Sequence, residues 1–197
     1  MSAIVEHEKR KKEILEKALD VFVEEGYADT TFQKIADRCG ITRTILYLYF
    51  KNKREIFSFS IKRFMEKLEE SIKGVAADEA LGAAERLERV MVMVIDSCAQ
   101  NARLLSVIMA YLTYMKRSGG DTSERVRRRT IRMRHIIAGI IINGQKQGEL
   151  ARVPVRPVTD LLYAMAESAA FRVTMLDKES LEDLETSVRL FIGRLKV

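Results

Sequence analysis

With 197 residues the chain is long enough for one large domain or two small ones, and two prolines, ten glycines and no alternating apolar–polar runs argue against a β-rich architecture. A net charge of +6 suits a polyanionic partner. The two cysteines, Cys39 and Cys98, are far apart in apolar helical contexts, which argues against a disulfide framework or a zinc site. Residues 6–13 are densely charged where a signal peptide would turn apolar, and runs such as Ile136–Ile142 are too short to span a bilayer. The expectation is a soluble, cytoplasmic, all-α protein of about nine helices, with no cofactor, no metal and no membrane partner.

The first helix is predicted over 8–25, with Ile14, Leu15, Ala18 and Phe22 on one stripe and Gly26 as its left-handed stop. Thr30 with Gln33 predicts a capping box for a second helix whose Phe32, Ile35, Ala36 and Cys39 face inward. Gly40 supplies a turn, and Thr42 caps a third helix of about two turns that ends near Tyr49–Phe50. Asn52 with Glu55 caps a fourth, continuing through Ile56, Phe57, Ile61, Phe64 and Leu68. Two helices joined by a tight glycine turn, followed at once by a third, form a helix-turn-helix suited to the DNA major groove.

Charge placement agrees. Residues 1–30 carry five basic and eight acidic side chains, whereas 31–54 carry six basic and one acidic. Arg43 follows the cap of the third helix, and arginine is the commonest bidentate reader of guanine. Thr44 suits a phosphate or a base; Tyr47 and Tyr49 offer hydroxyls and flat apolar faces to backbone oxygens or a thymine methyl. Thr31 and Gln33 open the second helix, whose free amides favour a phosphate. Lys53 stands in the first turn of the fourth helix, where the dipole disfavours a cation, so an external anion is expected beside it. Leu46 and Phe50 are core by spacing, while Tyr47 is divided between core and contact.

The pattern breaks around Gly74–Asp78. This divides a helix-turn-helix domain, 1–55, from a body at 75–197 that binds effector and dimerises, with a helix over 53–73 linking them. Further helices are predicted at about 79–100, 102–117, 121–148, 157–176 and 179–196, broken at Gly119–Gly120 and by the loop 149–156 with its proline. Leu181, Leu184, Val188, Phe191 and Leu195 follow a 3-4-3-4 spacing, and Val158, Leu162, Met165, Ala169, Val173 and Leu176 stripe the helix before, where Ala164, Ala166 and Ala170 permit close approach. Either the two stripes form a dimer seam or they bury into their own chain's core.

Seven of nine methionines lie beyond residue 75 and either line an adaptable apolar cavity or simply fill a core. Cys98, Tyr111, Tyr114, Asn143, Tyr163, Glu167 and Arg172 are polar groups set among apolar neighbours and are the candidates for orienting an effector. The run Arg125, Arg127, Arg128, Arg129, Arg132, Arg134 is the densest basic cluster; Val126, Met133, Ile137 and Ile140 are expected to define its buried side. It is a solvated face, a site for an anionic effector such as an acyl-coenzyme A, or a match for acidic groups on another subunit.

Residues 1–55 resemble the tetracycline-repressor-like (TetR) family of transcription regulators. The resemblance is carried by Phe22, Gly26-Tyr27, Thr30-Thr31, Ile35-Ala36, Gly40-Ile41, the Leu46-Tyr47-Leu48-Tyr49-Phe50 block and Lys53. It implies a homodimer on a palindromic operator, acting as a repressor that a small molecule releases. It also implies DNA contacts at Thr31, Gln33, Thr42, Arg43, Thr44, Tyr47, Tyr49 and Lys53. Ile45 departs from the family's frequent hydroxyl residue, so no contact is assigned there. His7 and His135 are the only histidines and no nucleophile, phosphate-loop or metal-ligand motif occurs, so an enzyme is not expected. The competing reading is a helical protein-interaction bundle, which leaves the capped, basic 30–55 segment without a purpose.

Overall fold

The computed structural model describes residues 2–120, 123–176 and 180–197. It is all-α, with nine helices among the described residues: α1 (Ser2–Asp29), α2 (Phe32–Cys39), α3 (Arg43–Tyr49), α4 (Lys53–Ala76), α5 (Ala83–Gln100), α6 (Ala102–Arg117), α7 (Ser123–Gln147), α8 (Val155–Met175) and α9 (Glu182–Gly193). The chain divides into two compact units, Met1–Glu69 and Glu70–Val197. The division falls inside α4, which runs on to Ala76; the sequence break at Gly74–Asp78 marks the end of that helix and not the edge of a domain.

In the first unit, Ile14, Leu15, Ala18 and Phe22 are buried as their spacing predicts, and Phe22 meets Phe57 edge-on at 4.7 Å. Gly26 adopts φ +79° inside α1 and breaks its regular winding, a conformation that side-chain-bearing residues rarely adopt. The carbonyl this releases accepts the Thr30 hydroxyl at 2.6 Å. That corrects the predicted capping box: Thr30 is buried and occupied, so Thr31 becomes the cap of α2 and accepts the Lys34 N–H at 3.2 Å. Gln33 donates along the helix to Asp37 Oδ1 at 2.7 Å instead of reaching back. Gly40 closes α2 in the left-handed conformation. Asn52 accepts the Glu55 N–H at 2.9 Å, and the Glu55 carboxylate returns to the Lys51 N–H at 2.6 Å. The buried Ser60 hydroxyl donates to the Leu15 carbonyl at 2.8 Å and ties α4 to α1.

In the second unit α5 lies at the centre, against α7, α8 and α9. Leu87, Val90, Met91 and Ile95 of α5 share the core with Ile137, Ile140 and Ile141, with Leu162 and Ala169, and with Val188 and Ile192. The chain bends by 80° between α5 and α6. The N-terminus of α5 has only Gly82 as its cap, and Glu149 Oε2 supplies the missing acceptor to the Ala83 N–H at 2.5 Å. Gly144 makes that meeting possible, since a Cβ there would stand 2.5 Å from the Ala83 Cβ and 2.7 Å from Leu150 Cδ1. Gly144→Ala is therefore expected to destabilise the protein by about 1–3 kcal/mol through overpacking; a urea midpoint equal to the parent's would refute the close approach.

Of the two readings of the stripes, dimer seam or the chain's own core, burial within one chain favours the core at most positions. Leu162, Ala169, Leu181, Leu184, Val188 and Leu195 are buried within their own unit, and Val158, Met165 and Phe191 are half-buried. Neighbouring helices of the same chain already fill that side. Of the stripes' remaining members Val173 is half-buried and Leu176 is exposed; further exposed apolar residues are Leu161, Phe171 and Met175 on α8, with exposed Ala164 among them, and Leu190 on α9. Val126 is likewise exposed and not on the buried side of α7. The Arg125 side chain lies outside the described residues, as do the predicted helix starts at 121 and 179. No single helix among the described residues is long and apolar enough to cross a membrane.

Candidate nucleic-acid interface

Thr42 stands extended before α3 and accepts the Ile45 N–H at 3.3 Å, which starts the helix. Leu46 and Phe50, both fully buried, seat it on the first unit. A helix of seven residues does not hold its own shape in water, so this anchoring is what presents its outer side chains.

Tyr47 stacks on Phe32 with centroids 4.6 Å apart yet stays 48% exposed, so it is both packed and available. Its hydroxyl accepts Arg43 Nη2 at 3.0 Å, and the Arg43 guanidinium lies 5.5 Å from the ring. The two thus form one cationic flank of α3. Tyr49 is half-buried against His7, ring to ring at 4.7 Å. Thr31, Gln33, Thr42 and Thr44 are exposed.

Lys53 has partners that its position in the helix did not disclose. Its ammonium donates to the Ala28 carbonyl at 2.8 Å and sits 4.8 Å from the centre of the Tyr27 ring. Burial lowers its pKa, and Asp29 partly opposes the shift. An external anion is therefore not required to explain a cation at that helix start. Two more of the six cations face acids of α1: Lys34 bonds Glu25 at 2.6 Å, and Arg38 pairs with Glu24. Arg43, Lys51 and Arg54 are exposed. Leu48, given no contact in the sequence, is at 74% the most exposed large apolar residue of the first unit among the described residues, and Ile45, from which a contact was withheld, is 40% exposed beside it. Their signal was legible in the helical spacing, since neither falls on the side of Leu46.

The effector candidates scatter. Tyr111 is buried; Cys98, Tyr163 and Arg172 are half-buried; Tyr114, Asn143 and Glu167 are exposed. The seven therefore do not share one enclosed environment, because polar groups in apolar stretches also mark the solvent side of amphipathic helices. Burial pushes the Cys98 thiol up to about 11, which keeps it protonated at neutral pH. Tyr163 bonds Thr130 at 2.9 Å and lies under the Arg134 guanidinium at 4.8 Å, while Arg134 pairs with Asp160 at 3.2 Å. Arg127 and Arg128 both hold Glu124, whose carboxyl they draw down to about 2. Much of the arginine run is thus internally paired. Among the described residues no cluster of His, Cys, Asp or Glu could hold a metal ion.

Residues 14–58 match the model for bacterial regulatory proteins of the tetR family. The chain is 28% identical over 172 residues to the fatty acid metabolism regulator protein of Bacillus subtilis, covering 85% of this chain and 84% of that one. It is 24% identical over 164 residues to the HTH-type transcriptional regulator RutR of Escherichia coli K12, covering 82% and 74%. A TetR transcription regulator from Haloarcula marismortui has the same fold, with a TM-score of 0.82 at 23% identity over 96% of this chain and 100% of that one. So does FadR of Bacillus subtilis, solved in complex with stearoyl-CoA, with a TM-score of 0.70 at 24% identity over 92% and 96%. Residues 14–58 thus form a helix-turn-helix of the tetR family, and the chain is similar over most of its length to TetR-type DNA-binding transcriptional regulators.

Proposed function

We propose that the protein acts in the cytoplasm as a homodimeric repressor of a palindromic operator and is released by a small anionic, lipid-like effector. The observation that carries the DNA part is α3, held by Leu46 and Phe50 so that Arg43, Thr44 and Tyr47 face outward. Each α3 enters one major groove, with the two heads about 34–36 Å apart for successive turns on one DNA face. Arg43 contacts base edges, Thr31, Gln33, Thr42 and Tyr49 contact the backbone, and Lys53 contributes its charge while held by Ala28.

The dimer reading rests on the exposed face of α8 and α9. Leu161, Ala164, Phe171 and Met175 stand at turn-like spacings along α8. For the effector, an acyl-coenzyme A is the class we favour. The relative from Bacillus subtilis is a fatty acid metabolism regulator, and the fold neighbour FadR binds stearoyl-CoA. This chain adds a methionine-rich apolar body and the exposed Arg127 and Arg128, whose two charges outweigh the single Glu124 they hold. Because α4 belongs to both units, a ligand-driven shift in the second reaches the first along it, with a coupling typically of ~1–3 kcal/mol.

Mobility-shift assays with the DNA flanking the gene, at 50 and 200 mM salt, test this reading. A preferred fragment is expected, its affinity falling by about 10³-fold or more across that range if six or more phosphates are neutralised. Absence of any preference over bulk DNA would remove the regulator mechanism. If acyl-coenzyme A neither binds saturably nor releases the fragment, the effector class is wrong while the DNA reading stands.

A further inference from the structure

Leu46 is the buried anchor of α3, and Thr44 and Leu48 each stand two residues from it, about 200° round the helix. They therefore form its outermost edge. Arg43 and Tyr47 occupy one flank as a bonded pair. On the other side of that edge Ile45 precedes Leu48 by three residues, so the two aliphatic side chains are neighbours. Single exposed apolar residues are ordinary. Two adjacent ones, 40% and 74% exposed on the part of a seven-residue helix that faces the groove, form a patch in a unit otherwise fringed with charge.

The floor of the major groove offers one apolar group, the C5-methyl of thymine. Phosphates and sugars would call for cations or hydroxyls at these positions, and the helix supplies those at Arg43, Thr44 and Tyr47 instead. We infer that Ile45 and Leu48 are specificity-determining residues that read thymine methyl groups, so that each operator half-site places T·A pairs opposite this edge of α3. The inference rests on the DNA-binding reading above. It also gives Ile45 a use: an aliphatic residue cannot donate a hydrogen bond to phosphate, but it can cover a methyl.

The test begins with selection of a preferred site from random duplexes, followed by replacement of each half-site thymidine by deoxyuridine, which removes only the methyl. For the parent protein, at least one replacement within each half-site is expected to weaken binding roughly fourfold, the transfer free energy of one buried methyl group. Leu48→Ala should bind the thymidine and deoxyuridine versions of its position equally, and Ile45→Ala those of the neighbouring position. Arg43→Ala should keep the methyl discrimination. Both aliphatic side chains are exposed, so the variants should melt with the parent, which a thermal scan checks. Equal binding of all deoxyuridine duplexes by the parent overturns the inference, as does discrimination that persists unchanged in both aliphatic variants. Failure to select any preferred duplex overturns the DNA-binding reading along with it, so the two failures are distinguishable.

Discussion

Replacing Leu161 and Phe171 together by aspartate is expected to convert the proposed dimer to a monomer and to cut operator affinity by about 10²–10⁴-fold. That range is what joining two binding modules ordinarily contributes, because the second half-site is then met within one complex. Phe171 is 58% exposed and Leu161 is 44%, so neither change should disturb the subunit by itself. In a dimer interface the same two carboxylates would be stripped of water without partners, which is costly. Sedimentation velocity and mobility shift should change together. A double variant that sediments as a dimer would show that the exposed face of α8 is not the seam.

The second large effect is expected at the seat of the DNA-reading helix. Leu46→Ala removes a completely buried side chain and should cost about 2–5 kcal/mol of stability in the first unit. Since α3 has seven residues and a single buried one, it should lose its position before the rest of the unit melts. DNA binding should therefore fall further than the loss of stability predicts, while helicity measured by circular dichroism stays near the parent's at low temperature. A urea transition displaced by less than about 1 kcal/mol would mean that Phe50 and the stacked Tyr47–Phe32 pair hold α3 without Leu46.

Both outcomes bear on where sequence reading succeeded. The helix-turn-helix was legible because its determinants are local. Gly40 needs its left-handed conformation wherever it stands, Thr42 caps the residues next to it, and Leu46 and Phe50 repeat at one turn. The capping box failed by one residue for a reason no local rule contains. Thr30 has the right chemistry for a cap, but the break at Gly26 leaves a carbonyl that takes its hydroxyl. Lys53 is similar. Its place at a helix start implied an anion outside the protein, whereas the chain brings Ala28 and Tyr27 to it from 25 and 26 residues away.

The body shows the same division more sharply. α8 is apolar on more than one side, with Leu162 and Ala169 on one and Leu161 and Phe171 on another. Spacing along the chain locates both stripes equally well and cannot say which of them faces the chain's own core. The effector candidates suffered likewise, since Tyr111 is buried while Tyr114, three residues on, is exposed.

What the sequence determined alone was the all-α class, the order of the helices, the caps at Thr42 and Asn52, the core stripe of the first unit and the family resemblance of its helix-turn-helix. These follow from backbone hydrogen bonding and side-chain periodicity within a few residues. Only the tertiary structure decided which apolar face of α8 remains uncovered, which cations are already paired, and that Thr30 is taken by the Gly26 carbonyl. Each of those depends on which helices, distant in the chain, occupy the space beside a residue, and that packing has no local signature.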